Sequence, residues 1–366
     1  MIILFLLGFY FLVCVGVLLF NFWKVVSDRI VQLRTSHLTQ HYLSFFRTIT
    51  NGQFSNSDTF AIRSLYSLTH LIAFQRAFDI FEATDDYVAS ESLPVLAHIV
   101  QGLCPYYSKR SNAIQAYYSF LINRFQVMKY APSEIITSFL LDQVQNNNGL
   151  YNLENALRAI YSSDNASLVV EALEYLNIAD ELPINSKLLA DGLLIFAHPD
   201  NLIVLLWDNF SSYRPELQCS LLNYIRYSSN KWGTQILSLL DKTTDLELQI
   251  ACLRYLGKYP EDRFFSILRK LAKESETTTP WEITAVCASE LASYPCDETI
   301  SLLIQMLYSK NWYVRNNAAS SLKKLSPTLK ELQEILDGND RYAKEILQYY
   351  FDLPPEKEIR KGVAPT

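Results

Sequence analysis

A pattern of apolar residues recurs four times in the second half of the chain. In each copy an anchor residue is followed by apolar or small residues four, five and eight positions later. The copies are Leu217/Leu221/Leu222/Ile225, Leu248/Cys252/Leu253/Leu256, Ile283/Cys287/Ala288/Leu291 and Val314/Ala318/Ala319/Leu322. These offsets place all four residues of a copy on one stripe of an α-helix. Because the anchors stand 31, 35 and 31 residues apart, the sequence predicts a series of similar helical units.

A second amphipathic segment stands before each copy. The four segments read NLIVLLWDNF, TQILSLL, FFSILRKLA and ISLLIQML. Each unit is therefore predicted to be a pair of helices that cannot bury its own apolar face. Stacking successive pairs buries those faces in a continuous core. Few segments alternate apolar and polar residues, so the whole chain is predicted to be all-α.

The last copy resembles the HEAT-repeat family, and more closely its short bacterial HEAT-like relatives. The resemblance lies in Val314-x-x-x-Ala318-Ala319-x-x-Leu322, preceded by DETISLLIQML. It covers residues 201–326 well and extends weakly upstream, to Leu153/Leu157/Tyr161 and Ile184/Leu188/Leu189. The interval is shorter than the roughly 40 residues of eukaryotic HEAT units, which favours the short bacterial type. The resemblance implies an α-solenoid of HEAT-like helix pairs, which we expect over residues 59–352; the alternative is an irregular helical domain with coincidental spacing.

The N-terminal 23 residues, MIILFLLGFYFLVCVGVLLFNFW, contain no charged side chain. As a helix they would be roughly 34 Å long, enough to cross a hydrocarbon core of roughly 30 Å. The alternative is a cleaved signal peptide, which the missing basic n-region and cleavage site disfavour. We therefore predict a transmembrane helix over 1–23, a juxtamembrane linker helix and turn over 24–58, and a disordered tail over 353–366. The apolar residues after residue 23 keep helical spacing, so this segment either extends the membrane helix or forms a short linking helix.

The residues after this segment predict its orientation. Lys24, Arg29 and Arg34 follow it, against the single acid Asp28, and a positive flank normally stays in the cytoplasm. The prediction is a single-pass protein of a bacterial plasma membrane, with its N terminus outside and its repeat domain cytoplasmic. The six cysteines form no CxxC pair, so free thiols in a reducing compartment are expected.

The sequence predicts no catalytic, cofactor-binding or metal-binding residue. His37 and His41 are four residues apart and could face one metal ion on a helix, but no third ligand is evident nearby. Cys252 and Cys287 occupy the repeat position that Ala318 fills in the next copy, which favours a packing role over a nucleophilic one.

One stretch, CPYYSKRSNAIQAYYSF, combines aromatic and basic side chains. It contains Tyr106, Tyr107, Tyr117 and Tyr118 close to Lys109 and Arg110. Such a combination could bind a base or a sugar. With 23 tyrosines in the chain, however, it is a weak indication.

Two functions from different classes fit these observations. The first is a membrane-tethered scaffold that binds other proteins, among them a membrane protein, at the cytoplasmic face. The second is an enzyme-related module similar to DNA glycosylases or chromophore lyases. A nucleic-acid-binding groove would be basic, whereas this chain has a net charge of −6. We therefore expect a protein partner, no nucleic acid, no small-molecule substrate and no enzymatic activity.

The predicted partner-binding surface is derived from the same helical offsets. Positions two, three and six residues after each anchor lie away from the buried stripe. Among them we expect the partner-binding residues to be Ile250, Arg254, Val286, Ser289, Asn316, Asn317 and Ser320. The alternative is that neighbouring helices cover Ile250 and Val286, because interior helices of a stack bury more than one stripe.

Overall fold

The computed structural model describes residues 2–50, 61–146, 149–179, 184–273 and 279–352. Of the residues in these ranges, 79% are in α-helices and none is in a strand, which confirms the all-α prediction. The chain divides into two compact units, Met1–Tyr175 and Leu176–Thr366. The predicted disordered tail, 353–366, and the predicted turn over 51–58 lie outside the described residues.

The first unit contains helices of very different length. They are α1 (Ile2–Thr50), α2 (Leu68–Phe81), α3 (Ala89–Gly102), α4 (Cys104–Tyr107), α5 (Asn112–Arg124), α6 (Val127–Tyr130), α7 (Glu134–Gln145) and α8 (Leu150–Tyr161), and α9 (Ala166–Ile178) crosses the boundary between the units.

Helix α1 corrects the prediction for the N terminus. It is one helix of 49 residues, so the segment after residue 23 extends the same helix, which is one of the two alternatives that the sequence left open. Most of the large apolar side chains from Phe9 to Trp23 are exposed, and Val15 is half-buried. A spanning helix needs about 20 consecutive apolar residues, and no helix in the described part of the chain is long and apolar enough to cross a membrane. The prediction of a single-pass membrane protein with a span over 1–23 is therefore wrong, and the outside N terminus and cytoplasmic repeat domain, which were argued from that span, lose their basis.

The later part of α1 packs into the first unit. Tyr42 and Phe46 are fully buried, and their rings lie 5.5 and 5.0 Å from the ring of Phe74 on α2. A hydrogen bond of 3.0 Å joins the Tyr42 hydroxyl to Nδ1 of His70. Interlocking aromatic rings of this kind stabilise a core beyond the area they bury, so this part of α1 belongs to the unit's core.

The second unit consists of helix pairs. Its helices are α10 (Ser186–Leu193), α11 (Pro199–Asp208), α12 (Pro215–Ser228), α13 (Gly233–Lys242), α14 (Leu246–Lys258), α15 (Asp262–Lys273), α16 (Trp281–Glu290), α17 (Asp297–Met306), α18 (Trp312–Leu325), α19 (Leu329–Asp337) and α20 (Arg341–Phe351). The second helices of the pairs contact one another in chain order, from α10 through α12, α14, α16 and α18 to α20. Helices α13, α15 and α17 each also pack against the second helix that follows them.

Local sequence determines where these helices begin. Asp245 and Asn311 cap α14 and α18, accepting hydrogen bonds from the main-chain nitrogens of Leu248 and Tyr313 at 2.9 and 2.8 Å. Helix α12 begins with Pro215, whose missing N–H costs nothing in the first turn. Such caps satisfy main-chain donors that a helix leaves unpaired at its N terminus.

The repeated stripe is buried in every copy. None of its sixteen residues is more than 4% exposed. The position four residues after the anchor, which we call the small position, holds Cys252, Cys287 and Ala318 in the last three copies. All three are fully buried, and the second helices that carry them pack against one another directly. The periodicity in the sequence therefore predicted the packed face of each second helix correctly.

Hydrogen bonds from two tyrosines join the ends of neighbouring second helices. The Tyr259 hydroxyl donates to the carbonyl oxygen of Arg226 at 2.9 Å, and the Tyr294 hydroxyl donates to that of Leu256 at 2.9 Å. Both tyrosines stand eleven residues after their anchors. Because the last carbonyls of a helix have no partner within it, these hydroxyls satisfy groups that would otherwise depend on water.

Candidate partner-binding surface

The residues predicted to bind a partner differ in exposure. Ile250 belongs to the apolar core of the second unit, whereas Arg254, one turn further along α14, is exposed. On α16, Val286 packs half-buried against the same core. Ser289 is half-buried and donates to the carbonyl oxygen of Ala285 at 3.4 Å. The structure thus brings Ile250 and Val286 against other helices and leaves Arg254 facing solvent.

The three predicted residues on α18 are all half-buried. The Asn317 side chain donates to the carbonyl oxygen of Ala285 at 2.8 Å and so joins α18 to α16. Oδ1 of Asn316 accepts a hydrogen bond from the Tyr350 hydroxyl on α20 at 3.0 Å. Both amides therefore serve contacts within the unit, and Ser320 lies one turn further along. That these residues also contact a partner stays a prediction.

A group of exposed aromatic side chains surrounds Asn316. We call it the aromatic surface, and it consists of Trp281, Trp312, Tyr313, Tyr342 and Tyr349. These side chains are between 43% and 78% exposed. They come from the first turns of α16 and α18 and from α20. Rings of this size in contact with water form a large apolar area that a monomeric protein rarely leaves uncovered.

Three of the five rings of the aromatic surface contact one another. Trp281 and Tyr313 stack with ring centres 5.3 Å apart and planes 21° apart, which joins α16 to α18. Trp312 meets Tyr313 edge to face at 5.2 Å. These contacts hold the rings in fixed orientations although they are exposed. A rigid aromatic side chain loses little conformational entropy when a partner covers it.

An open cleft of about 430 Å³ adjoins these rings. Its lining residues are Trp312, Arg315, Asn316, Tyr342, Glu345, Ile346, Tyr349 and Tyr350. The Arg315 guanidinium lies 5.2 Å from the centre of the Tyr342 ring, and its Nη1 donates to the carbonyl oxygen of Ser309 at 2.5 Å. The cleft thus combines apolar rings with hydroxyl, amide and guanidinium donors, which suits a ligand that has both apolar groups and acceptor oxygens.

The sequence contains a signal for this surface that the apolar repeat does not capture. Trp281 and Trp312 both stand two residues before the anchor of their copy. This position begins the second helix, where no preceding helical turn packs against the side chain. Tyr342 and Tyr349 are seven residues apart and so share one face of α20. Apolar periodicity alone does not separate such residues from core residues.

The thiols at the small position are not poised for nucleophilic chemistry. Burial raises the pKa of both Cys252 and Cys287 to about 12. A nucleophilic cysteine reacts as the thiolate, and near neutral pH these two thiols stay protonated. Their place in the structure is the packed stripe between second helices.

The other sequence candidates lie in the first unit. His37 and His41 are both exposed on α1. Within the described ranges no group of three or more His, Cys, Asp or Glu side chains is placed to hold a metal ion. In the aromatic and basic stretch, Tyr107 and Tyr118 are buried and donate to the carbonyl oxygens of Leu65 and Val100, at 2.5 and 2.6 Å. These two rings are therefore part of the core and not free to stack on a ligand.

Comparison of the sequence with models of known protein families finds no match, and a search of curated proteins finds none either. The HEAT-like resemblance of residues 201–326 therefore stays a prediction, and a function has to be argued from the surfaces of the chain itself.

Proposed function

We propose that this chain is a non-enzymatic scaffold, in which HEAT-like helix pairs stack as an α-solenoid and bind a partner protein. Two observations support the architecture: the repeated stripe is buried in each copy, and the second helices contact one another in chain order. Stacked pairs of this kind expose long rows of equivalent helix positions, which suits them to binding extended partners.

The aromatic surface carries the proposal for binding. Tyr, Trp and Arg are the residues that contribute most to binding energy at protein interfaces, and Trp312, Arg315 and Tyr349 meet at one cleft. The partner we propose is a polypeptide segment whose apolar side chains cover the rings. Its main-chain carbonyl oxygens would accept hydrogen bonds from the hydroxyl, indole and guanidinium donors of the cleft.

A polypeptide fits this cleft better than a nucleic acid does. Glu345 lines the cleft beside Arg315, and a carboxylate there would repel phosphates. The chain as a whole carries a net charge of −6, whereas nucleic-acid-binding domains are as a rule basic.

Site-specific photo-crosslinking tests the proposal. A photoreactive phenylalanine analogue replaces Tyr349 in the full chain, and crosslinked partners are identified by mass spectrometry in the cell that makes the protein. Replacing Tyr151, a tyrosine on α8 that is 59% exposed against 78% for Tyr349, gives the control. We expect one protein to crosslink from position 349 and not from position 151.

The substitution Trp312→Ala tests the same contact from the other side of the cleft. Because Trp312 is exposed, the variant should keep its fold while the crosslink from position 349 falls at least about tenfold, as loss of an interface hot spot would cause. Equal crosslinking of the same proteins from positions 349 and 151, or a yield that Trp312→Ala leaves unchanged, would show that the aromatic surface is not a binding site.

A further inference from the structure

Four basic side chains gather near the C-terminal ends of the second helices. We call them the basic surface: Arg226 on α12, Arg254 and Lys258 on α14, and Lys324 on α18. The chain has more acids than bases, 38 against 32. In the described part of the chain none of these four forms an ion pair within 4.0 Å, whereas Arg269, Lys273 and Arg341 on neighbouring helices do.

One of these cations has an unused donor. Nε of Arg226 is buried and has no hydrogen-bond partner among the described residues. Its Nη2 donates to the Tyr227 hydroxyl at 3.0 Å. Leaving a buried charged donor unpaired costs free energy, so the charge of Arg226 is only partly compensated within the described residues.

The carboxylate of Glu290 lies among these cations. Glu290, the last residue of α16, is half-buried. It packs over Gly257 of α14 so closely that a Cβ atom built on this glycine would lie 2.0 Å from its Oε2. Arg226, Arg254 and Lys324 all act electrostatically on this carboxylate. Three cations from three helices therefore converge on the surroundings of one acid.

We propose that the basic surface binds an acidic polypeptide segment, and that Glu290 takes up a proton when the segment binds. While Glu290 is ionised, its charge repels an incoming carboxylate and offsets part of the attraction of the cations. Once it is protonated, the surface is purely cationic. The proposal does not depend on the aromatic surface, whose residues are different.

Other groups near Glu290 do not titrate in the same range. On its own helix it faces Cys287, and Tyr294 follows the turn after the helix; burial raises the pKa of both groups to about 12. Burial raises the pKa of Glu290 to about 7, although the three cations oppose the shift. Glu290 is thus the group in this set that changes charge near neutral pH.

The geometry favours an acidic polypeptide over a nucleic acid. A single-stranded nucleic acid is held by bases that stack on exposed aromatic faces. The exposed aromatic ring here is Tyr227, and it already lies under two cations, Arg226 at 4.7 Å and Lys258 at 4.3 Å from its centre. The face that a base would need is therefore occupied, while the charges remain available to carboxylates.

The test measures binding of a fluorescein-labelled peptide of alternating glutamate and aspartate to the full chain, by fluorescence anisotropy at low ionic strength. If the peptide binds only when Glu290 is protonated, the dissociation constant should be about tenfold smaller at about pH 6 than at about pH 8. Glu290→Gln should bind tightly at both pH values. Glu282→Gln, which removes the same charge at the other end of α16, should behave like the unmodified chain.

A second pair of variants tests the cations independently of Glu290. The double variant Arg254→Gln/Lys324→Gln should abolish peptide binding, because it removes two of the four cations of the basic surface. Both side chains are exposed, so their loss leaves the core intact. Lys310→Gln, an exposed lysine in the turn before α18, should retain it. Three results would each overturn the proposal: no binding by the unmodified chain at either pH, a pH dependence that persists in Glu290→Gln, or binding of oligothymidylate as tight as that of the peptide.

Discussion

The close contact with Glu290 explains why position 257 holds a glycine. A Cβ atom there would lie 2.0 Å from Oε2 and 2.5 Å from Cβ of Glu290. Alanine is the better helix former by about 1 kcal/mol, so within α14 a glycine has to be explained by space. The explanation is that the side chain of Glu290 lies directly on the main chain of the neighbouring helix.

Gly257→Ala should therefore destabilise the protein. We expect the free energy of unfolding to fall by about 1–3 kcal/mol in a denaturant titration, because an inserted methyl group forces the two helices apart. Adding Glu290→Ala should restore only part of the loss, since the contact with Cβ of residue 290 remains. Gly102→Ala is the control, because a Cβ there meets no atom within 4 Å; equal effects at both glycines would contradict this account.

The buried carboxyl of Glu290 should make stability depend on pH. Its pKa is raised to about 7 in the folded chain, whereas an unfolded chain has the ordinary value of about 4.3. The folded state thus keeps this proton to higher pH than the unfolded state does. The resulting stabilisation is fully present below about pH 4 and is lost as the pH rises through about 7.

Glu290→Gln removes this titration. Between about pH 5 and pH 8 the unmodified chain should lose about 1–2 kcal/mol of stability relative to the variant, an estimate reduced because the carboxyl is only half-buried. Urea titrations at both pH values measure the difference. A variant whose stability changes with pH in parallel with the unmodified chain would show that Glu290 is ionised throughout.

At the scale of the helix, the tyrosines at the eleventh position after the anchor join consecutive second helices. Replacing Tyr294 by Phe keeps the ring but removes the hydrogen bond to Leu256, which should cost about 0.5–1.5 kcal/mol. Tyr342→Phe, where the hydroxyl belongs to an exposed ring, should be neutral. Thermal melts followed by circular dichroism compare the two variants, and equal melting temperatures would show that the hydroxyl of Tyr294 adds nothing to the stack.

A larger side chain at the small position of the repeat should destabilise the protein more than loss of a tyrosine hydroxyl does. Ala318→Leu places a larger side chain where α18 is fully buried, and should destabilise the unit by about 1–3 kcal/mol. Cys287→Ala should cost less, because the next copy already has alanine at this position. A chain with Ala318→Leu that melts like the unmodified one would mean that neighbouring side chains yield easily at this contact.

The burial of a residue could be predicted from the sequence where the same helix position is buried in every copy. It could not be predicted where burial depends on the arrangement of the adjacent helices. Leu217, Leu248, Ile283 and Val314 head stripes that the structure buries, because one face of each second helix always packs inward. Whether Ile250 is exposed depends on the adjacent helices, and their arrangement is not encoded in the offsets of α14. The tyrosine hydrogen bonds were not predicted for the same reason.

At the scale of the whole chain, the sequence predicted the helical class correctly and the N terminus incorrectly. The apolar run over residues 1–23 predicts a membrane span, whereas among the described residues no helix is long and apolar enough to cross a membrane, and the helix that begins there extends to Thr50 and packs by Tyr42 and Phe46. The aromatic surface also appears only at this scale, because it combines the first turns of α16 and α18 with α20.

The second unit should fold without the first. Many of its buried residues between Ile250 on α14 and Leu347 on α20 belong to one apolar cluster, and its second helices contact their neighbours in chain order. In such an arrangement stability is close to a sum over neighbouring helix pairs. A fragment of residues 184–366 should therefore be helical by circular dichroism and melt cooperatively.

A fragment of residues 184–310, which lacks α18 and so uncovers the face of α16 that holds Ala288, should melt at a lower temperature. An unfolded 184–366 fragment would show that the unit's core is not self-sufficient, and equal melting of both fragments would show that α18 does not stabilise α16.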